Sequence, residues 1–509
     1  MMSPPTHDLL VIGGGINGAG IARDAAGRGL DVVLCEAGDL AGATSSASSK
    51  LIHGGLRYLE HLEFSLVRKA LAEREVLLSI APHIAWPMRF VLPHVPGLRS
   101  RWMIRAGLFL YDHLARRAVI PGSSQIRLDQ QGLAGVLSSE LRYGFSYWDC
   151  WVDDARLVVL NVRAAADRGA SILTRTRVES AKPENGVWRV TCREEATGTT
   201  SELAARVIIN AAGPWADRVL ADLLRHRDRL TSKPPSLRLV KGSHIVVSRI
   251  AAIEDALILQ NNDGRVVFVL PYEQNFSLIG TTDVPFAGDP GSAAASEEEI
   301  HYLLDVVGRQ LAHPPRREDV VHSFAGVRPL YEEDTGKSAS SASRDYFLLT
   351  TEEEGLPPIV SVFGGKITTY RQLSETVIDG LARWFPALPE AWTASVPLPG
   401  GDLPTGGFSA FAADLVARLP GLPARDLHSL ARRHGTLAWS VLDGATDVAD
   451  LGRQYGPGLF EREVVYLRDR EWARTAEDIL WRRTKCGLHM TPAERIAAAE
   501  TLGAEACAV

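Results

Sequence analysis

The sequence predicts an α/β protein with a Rossmann-like dinucleotide-binding unit at its start and an α-helical domain at its end. Three observations predict it. Residues 8–36 run apolar stretch, glycine turn, helical stretch, apolar stretch and acid in unbroken order. A second strand-like run, Arg206–Ile209, ends in the small residues Asn210-Ala211-Ala212-Gly213. A Pro- and Gly-rich linker, residues 394–407, precedes a stretch to residue 509 rich in Ala, Leu, Arg and Glu.

Asp8–Ile12 (DLLVI) is a short apolar run of the kind that forms a buried parallel strand. It enters Gly13-Gly14-Gly15-Ile16-Asn17-Gly18, a G-x-G-x-x-G turn through Gly13, Gly15 and Gly18. Gly13 suits the tight turn, Gly15 lets backbone approach a pyrophosphate, and Gly18 lets the helix pack on the sheet. The helical stretch is Ala19–Gly29, and a second strand, Asp31–Cys35, ends at Glu36. An acid there is placed to accept hydrogen bonds from ribose hydroxyls. The loop after it, Ala37–Lys50, is small and hydroxyl-rich, with Thr44, Ser45, Ser46, Ser48 and Ser49. Such a loop suits a second approach to a pyrophosphate and a flavin, which favours FAD over a nicotinamide cofactor. Ala212 and Gly213 offer a further place where a cofactor can lie close to backbone.

Farther along, Ser296 before Glu297-Glu298-Glu299 reads as a helix N-cap. Thr491-Pro492-Ala493-Glu494 reads as a capping box with Pro at the first helical position. Asp334–Asp345 is a small polar loop. Arg99–Arg117 sets Trp102, Met103, Ile104, Leu108, Phe109, Leu110 and Tyr111 among five arginines and one acid. Two readings stand for it: an interfacial helix on anionic lipid, or a buried helix with snorkelling arginines.

Bulk properties exclude other classes. A net charge of -6 is unlike that of a nucleic-acid binder. The five cysteines (Cys35, Cys150, Cys192, Cys486, Cys507) form no CxxC pair and read as free thiols of a reducing compartment. No metal site is expected, since Asp153-Asp154 lacks further ligands at metal spacing. No signal peptide or membrane-spanning run is visible, which points to a cytoplasmic protein or one on the cytoplasmic face of a membrane.

Six longer segments are more specific: Thr44–Glu60 (TSSASSKLIHGGLRYLE), Ser146–Leu157 (SYWDCWVDDARL), Lys241–Val247 (KGSHIVV), Gly280–Val284 (GTTDV), Ala325–Leu330 (AGVRPL) and Ser361–Arg371 (SVFGGKITTYR). Together they resemble the FAD-dependent, respiratory, quinone-linked glycerol-3-phosphate dehydrogenases, of D-amino-acid-oxidase-like fold. The resemblance spans about residues 8–490. It implies FAD, oxidation of sn-glycerol 3-phosphate to dihydroxyacetone phosphate, and electron transfer to a membrane quinone by a protein bound peripherally to the cytoplasmic face of the inner membrane. An oxidase that hands its electrons to oxygen and releases peroxide shares the same substrate motifs, and a homodimer is compatible with the chain. The resemblance further implies interleaved domains. The FAD-binding domain takes residues 1–84, 145–230 and 320–393, an α+β substrate domain takes 85–144 and 231–319, and the helical domain takes 408–509.

A phosphate ester with a secondary alcohol calls for cations at the phosphate and a proton acceptor at the alcohol. Arg57 and Arg328 are assigned to the substrate, chiefly its phosphate, with Tyr58 beside Arg57. Lys366, between Gly365 and Thr368, is assigned to the substrate or the flavin, with Gly365 and Thr368 on the cofactor side. His53 and His244 compete as proton acceptor, with His53 preferred for its place beside the flavin loop.

Overall fold

The computed structural model describes residues 6–130, 133–224, 236–250, 254–332, 345–351 and 356–506. Cys507 and most of the polar loop at 334–345 lie outside them.

The opening strand, Thr6–Ile12, sits inside a sheet ordered Tyr346–Thr351, Ile359–Gly364, Thr200–Asn210, Thr6–Ile12, Val32–Cys35, Ser171–Leu173. Its pairings with Val32–Cys35 and Thr200–Asn210 are parallel, as continuous apolar runs buried on both faces require. Leu9 and Val11 enter the core under the helix Ile16–Gly27, while Leu10 and Ile12 enter the opposite core with Trp188 and Val190 of a covering hairpin. Each such side chain contributes about 1.5–3 kcal/mol on burial. The helix starts three residues before the predicted Ala19, because Gly15 is its extended N-cap and the glycine turn runs straight into it.

A second sheet holds the long antiparallel pair Ser236–Ser248 and Val320–Glu332, with Phe276–Gly280, Val266–Tyr272, Ala256–Gln260, Ala85–Pro93 and Tyr143–Val152. Alternate residues face two cores: Val246 and Leu278 one way, Ile245, Val247 and Ile279 the other. The helix Glu297–Gly308 covers the latter face, capped as expected by Ser296, with Glu299 completing a capping box. The helices Phe64–Ile80 and Arg101–His113 cover the former. Two long strands shift the expected partition. Tyr143–Val152 and Val320–Glu332, which the boundaries at 145 and 320 gave mostly to the FAD side, hydrogen-bond within this second sheet.

Beyond residue 406 come the helices Gly407–Arg418, Ala424–His434, Glu461–Glu471 and Pro492–Ala506. The predicted capping box opens the last of them: Thr491 Oγ1 accepts the Glu494 amide at 3.3 Å and Glu494 accepts the Thr491 amide at 2.7 Å. The linker is pinned at Leu398, whose amide donates to Ile80 O. This domain is held to the first by buried charge pairs. Arg156 bonds Glu471, and Arg483 donates two bonds of 2.8 Å to Asp39. Lys485 pairs with Asp153, which is also the N-cap of the helix Asp154–Ala166. Among the described residues, no helix is long and apolar enough to cross a membrane.

Candidate functional site

One cavity of about 1130 Å³ runs from the glycine turn to the end of the second sheet. At the first end the turn is built by close approach. A Cβ on Gly18 would stand 2.0 Å from Gly13 O, so helix and turn can meet only over glycine. Gly13 N donates to Cys35 O, and Ala211 N donates to Ile12 O, which seats Ala212 and Gly213 beside the turn. Glu36 accepts from Gly14 N at 2.5 Å and Gly38 N at 2.7 Å. Burial pushes its carboxyl above the ordinary range, and those two amides oppose the rise.

The hydroxyl loop lies along the cavity, but its hydroxyls have protein partners. Thr44 donates to Val327 O, Ser45 accepts the Ile16 amide, and Ser48 donates to Asp154. Ser49 bonds His244 Nε2 at 2.9 Å. Ser46 turns to Ala43 O and falls outside the cavity wall. The loop is thus a fastened wall that offers backbone, not a free rank of hydroxyls. Its fastener was missed in the sequence. Asp154 accepts from Ser48 and, at 2.7 Å, from the buried Lys50 ammonium. Asp153 and Asp154 thus serve as buried anchors rather than metal ligands, Asp154 for this loop and Asp153 for Lys485.

At the other end stand His53, Tyr58, His244, Arg328, Lys366 and Thr368. Both histidines come from the second sheet, His53 just after its edge strand Leu51–Ile52 and His244 within Ser236–Ser248 between two paired strands, and both reach the wall. His244 is nearly fully buried and stacks on Phe324 at 5.0 Å. Gly280 faces it across the ladder, and any Cβ there would lie 2.1 Å from the imidazole. Burial, with Lys50 and Arg328 near, pulls the His244 imidazole down to about 3, so its ring is neutral at neutral pH. His53 meets Phe268 edge-on at 6.3 Å. Arg328 donates to Thr282 O at 3.1 Å and keeps about a third of its side chain exposed. Lys366 Nζ lies 3.6 Å from the Tyr58 ring centre.

Arg57 stands apart from the other expected substrate residues. It lies outside the cavity wall, because the 3₁₀ turn Leu56–His61 presents Tyr58 there instead. The cations on the wall at this end are Arg328 and Lys366.

The glycine turn, the acid at the second strand and the exposed backbone of Gly15 and Gly213 fit a dinucleotide. A Cβ at Gly213 would meet nothing within 4 Å, and one at Gly15 only the Ser45 hydroxyl. A family model described as FAD dependent oxidoreductase matches residues 8–371. The chain belongs to that family. A second model, the C-terminal domain of alpha-glycerophosphate oxidase, matches residues 391–504 of this oxidoreductase. The chain is 50% identical to D-erythritol 1-phosphate dehydrogenase of Brucella abortus, over 98% of each. It is 50% identical to glycerol-3-phosphate dehydrogenase of Pseudomonas aeruginosa, over 98% of this chain and 95% of that one. It is also 50% identical to aerobic glycerol-3-phosphate dehydrogenase of Escherichia coli, over 95% and 94%. Among solved structures, glycerol-3-phosphate dehydrogenase from Bacillus halodurans complexed with FAD aligns with a TM-score of 0.75 and 28% identity, covering 99% of this chain and 95% of that one. FAD is therefore the cofactor of this fold; Gly13, Gly15, Glu36, Ala212, Gly213 and Gly365 line the cavity.

Proposed function

We propose that the protein oxidises sn-glycerol 3-phosphate at C2 to dihydroxyacetone phosphate and passes the electrons to a membrane quinone. The observation that carries this is the pairing of two cations, Arg328 and Lys366, with two histidines at one end of a cavity whose other end is a dinucleotide cradle. When bound, FAD supplies the two-electron acceptor, N5 of its ring, for the hydride leaving C2. Arg328 and Lys366 hold the phosphate; a charged hydrogen bond of this kind is worth about 1.5–3 kcal/mol. Tyr58 fixes Lys366 by its ring face. His53 takes the alcohol proton, and His244, kept neutral and tied to Ser49, orients the same oxygen.

Contact with the bilayer is supported by the helix Arg101–His113. Ile104, Leu108 and Tyr111 are buried beneath it, while Trp102, Phe109 and Leu110 face outward, Trp102 at 75% exposure. Leu62 and Phe64 are exposed on the segment just before the helix Phe64–Ile80 and on its first turn. Arg101 and Arg105 belong to the same helix, the composition of a peripheral contact with anionic lipid. This arrangement combines the two sequence alternatives, one face of the helix packed and the other open. On this reading the site of work is the cytoplasmic face of the membrane.

The relatives support two substrates, glycerol 3-phosphate and D-erythritol 1-phosphate, since identity to both kinds of dehydrogenase is 50%. They share a phosphate and a secondary alcohol, and the three-carbon ester is preferred on the resemblance of the six motif segments. Oxygen is the competing acceptor, favoured by the oxidase description of the C-terminal model. Steady-state kcat/KM for both esters, each with a quinone analogue and with oxygen, tests the proposal. Preference for erythritol 1-phosphate would move the substrate, and stoichiometric peroxide with no quinone reduction would move the acceptor.

A further inference from the structure

The C-terminal domain reaches the cofactor cavity at one place. Arg482 lines the wall with Glu36, Gly38, Asp39, Thr176 and Arg177, and among the described residues it is the sole lining residue beyond Thr368. It belongs to a π-helical turn, Asp478–Arg483, whose wide pitch shows in the bond from Thr484 N to Ile479 O at 3.1 Å. Such turns are rare and concentrate at functional sites. On an α-helix, consecutive side chains diverge by about 100°. Here Arg482 and Arg483 both reach one carboxylate: Arg482 Nε donates to Asp39 at 2.6 Å, and Arg483 donates twice at 2.8 Å.

Asp39 follows Glu36 by three residues in the loop that walls the dinucleotide end. The contact continues as a closed circuit. Arg482 Nη2 donates to Asp478 at 2.6 Å, and Asp478 also accepts from Arg175 at 2.5 Å. Arg175 N donates to Gly38 O, and Thr176 N donates to Glu36 O. Glu36, Gly38, Asp39, Arg482, Asp478 and Arg175 thus form one hydrogen-bonded ring at the cavity edge. Arg482 uses one proton on each nitrogen, its third bond going to Glu477 at 3.4 Å, so two of its five N–H groups remain. Two carboxylates at the mouth of a site for a diphosphate would repel the ligand unless cations offset them.

We propose that the C-terminal domain is part of the cofactor site. Arg482 supplies a cation to the diphosphate-bearing half of FAD and locks the Glu36–Asp39 loop, so that FAD binding and docking of the domain stabilise each other. That reciprocity is a thermodynamic requirement once the two share a residue. The inference rests on FAD as cofactor and says nothing of the substrate.

The test strips FAD from wild type, Arg482→Ala and Arg482→Lys, titrates it back by flavin fluorescence, and follows amide hydrogen exchange over residues 471–490 with and without FAD. The expected result is a Kd raised about tenfold or more in Arg482→Ala, an intermediate value in Arg482→Lys, and slower exchange over 471–490 when wild type binds FAD. An unchanged Kd in Arg482→Ala, or exchange over 471–490 indifferent to FAD in wild type, overturns the proposal. Should Arg482→Ala not fold, the wild-type exchange decides. Failure of wild type to take up FAD at all would instead overturn the cofactor assignment.

Discussion

Tyr111 Oη accepts the amide proton of Gly54 at 2.8 Å and donates its own to the Asp149 carboxylate at 2.8 Å. Arg74 holds that carboxylate from the other side at 2.9 Å, and all three side chains are buried. Burial pushes the Tyr111 phenol well above its ordinary value, so it stays a proton donor. Gly54 separates His53 from the turn that carries Tyr58, so this buried chain of bonds sets the position of two cavity residues without touching the cavity.

Tyr111→Phe is therefore expected to leave flavin content unchanged and to raise KM about tenfold, with kcat lowered less. Loss of the hydroxyl strands a buried amide, a cost of about 1–3 kcal/mol in stability. Parallel steady-state and thermal-unfolding measurements check both parts. A fall in stability with unchanged KM would reduce Tyr111 to a packing residue.

Lys366→Met and Arg328→Gln are expected to weaken substrate saturation by about 10–100-fold each, from the loss of a charged hydrogen bond. Stopped-flow titration of flavin bleaching against ester concentration measures it.

His53→Asn is expected to slow flavin bleaching at saturating ester by about 10²–10⁴-fold, the usual worth of general base catalysis. The same rate in the variant would transfer that role to His244. His244→Asn is expected to cost less in rate but to change the pH dependence of stability. Its imidazole titrates near 3 in the fold, against about 6.5 in an unfolded chain. Between those values the unfolded chain binds more protons, so this contribution is full above pH ~6.5 and declines as pH falls towards 3. Denaturant titrations from pH 4 to 8 should show a shallower slope in His244→Asn.

Glu463 is buried, which alone would raise its carboxyl, yet Arg433 and His434 hold it down at about 2. Its partners are close: Arg433 Nε at 2.6 Å and His434 Nε2 at 2.8 Å. A depressed acid stabilises the fold above its unfolded value of about 4.3 and loses that contribution as pH falls towards 2. Acid unfolding of the C-terminal domain is expected in that window. Glu463→Gln should be less stable than wild type at pH 7, with the difference shrinking as acid is added.

Much of the cofactor end was legible in the sequence because backbone requirements leave a strict residue code. Gly13 and Gly18 are dictated by contacts no Cβ survives, and Glu36 by the end of a strand. The histidines and cations at the far end were legible through the motif segments, since nothing in local periodicity brings residues 53, 244, 328 and 366 together. Arg57 and Tyr58 show the limit. Adjacent residues on a 3₁₀ turn point apart, and sequence spacing does not say which one the cavity receives. Arg482 and Asp154 were invisible for a related reason. Their partners, Asp39 and Lys50, lie more than a hundred residues away, and an isolated charge reads as surface until its burial is known.

The most direct test of the account is anaerobic addition of glycerol 3-phosphate to the flavin-loaded protein, with glycerol as control, while the visible flavin band is followed. The account predicts rapid bleaching by the phosphate ester and none by glycerol. No bleaching by glycerol 3-phosphate, or equal bleaching by glycerol, would contradict it, because Arg328 and Lys366 would then not be holding a substrate phosphate.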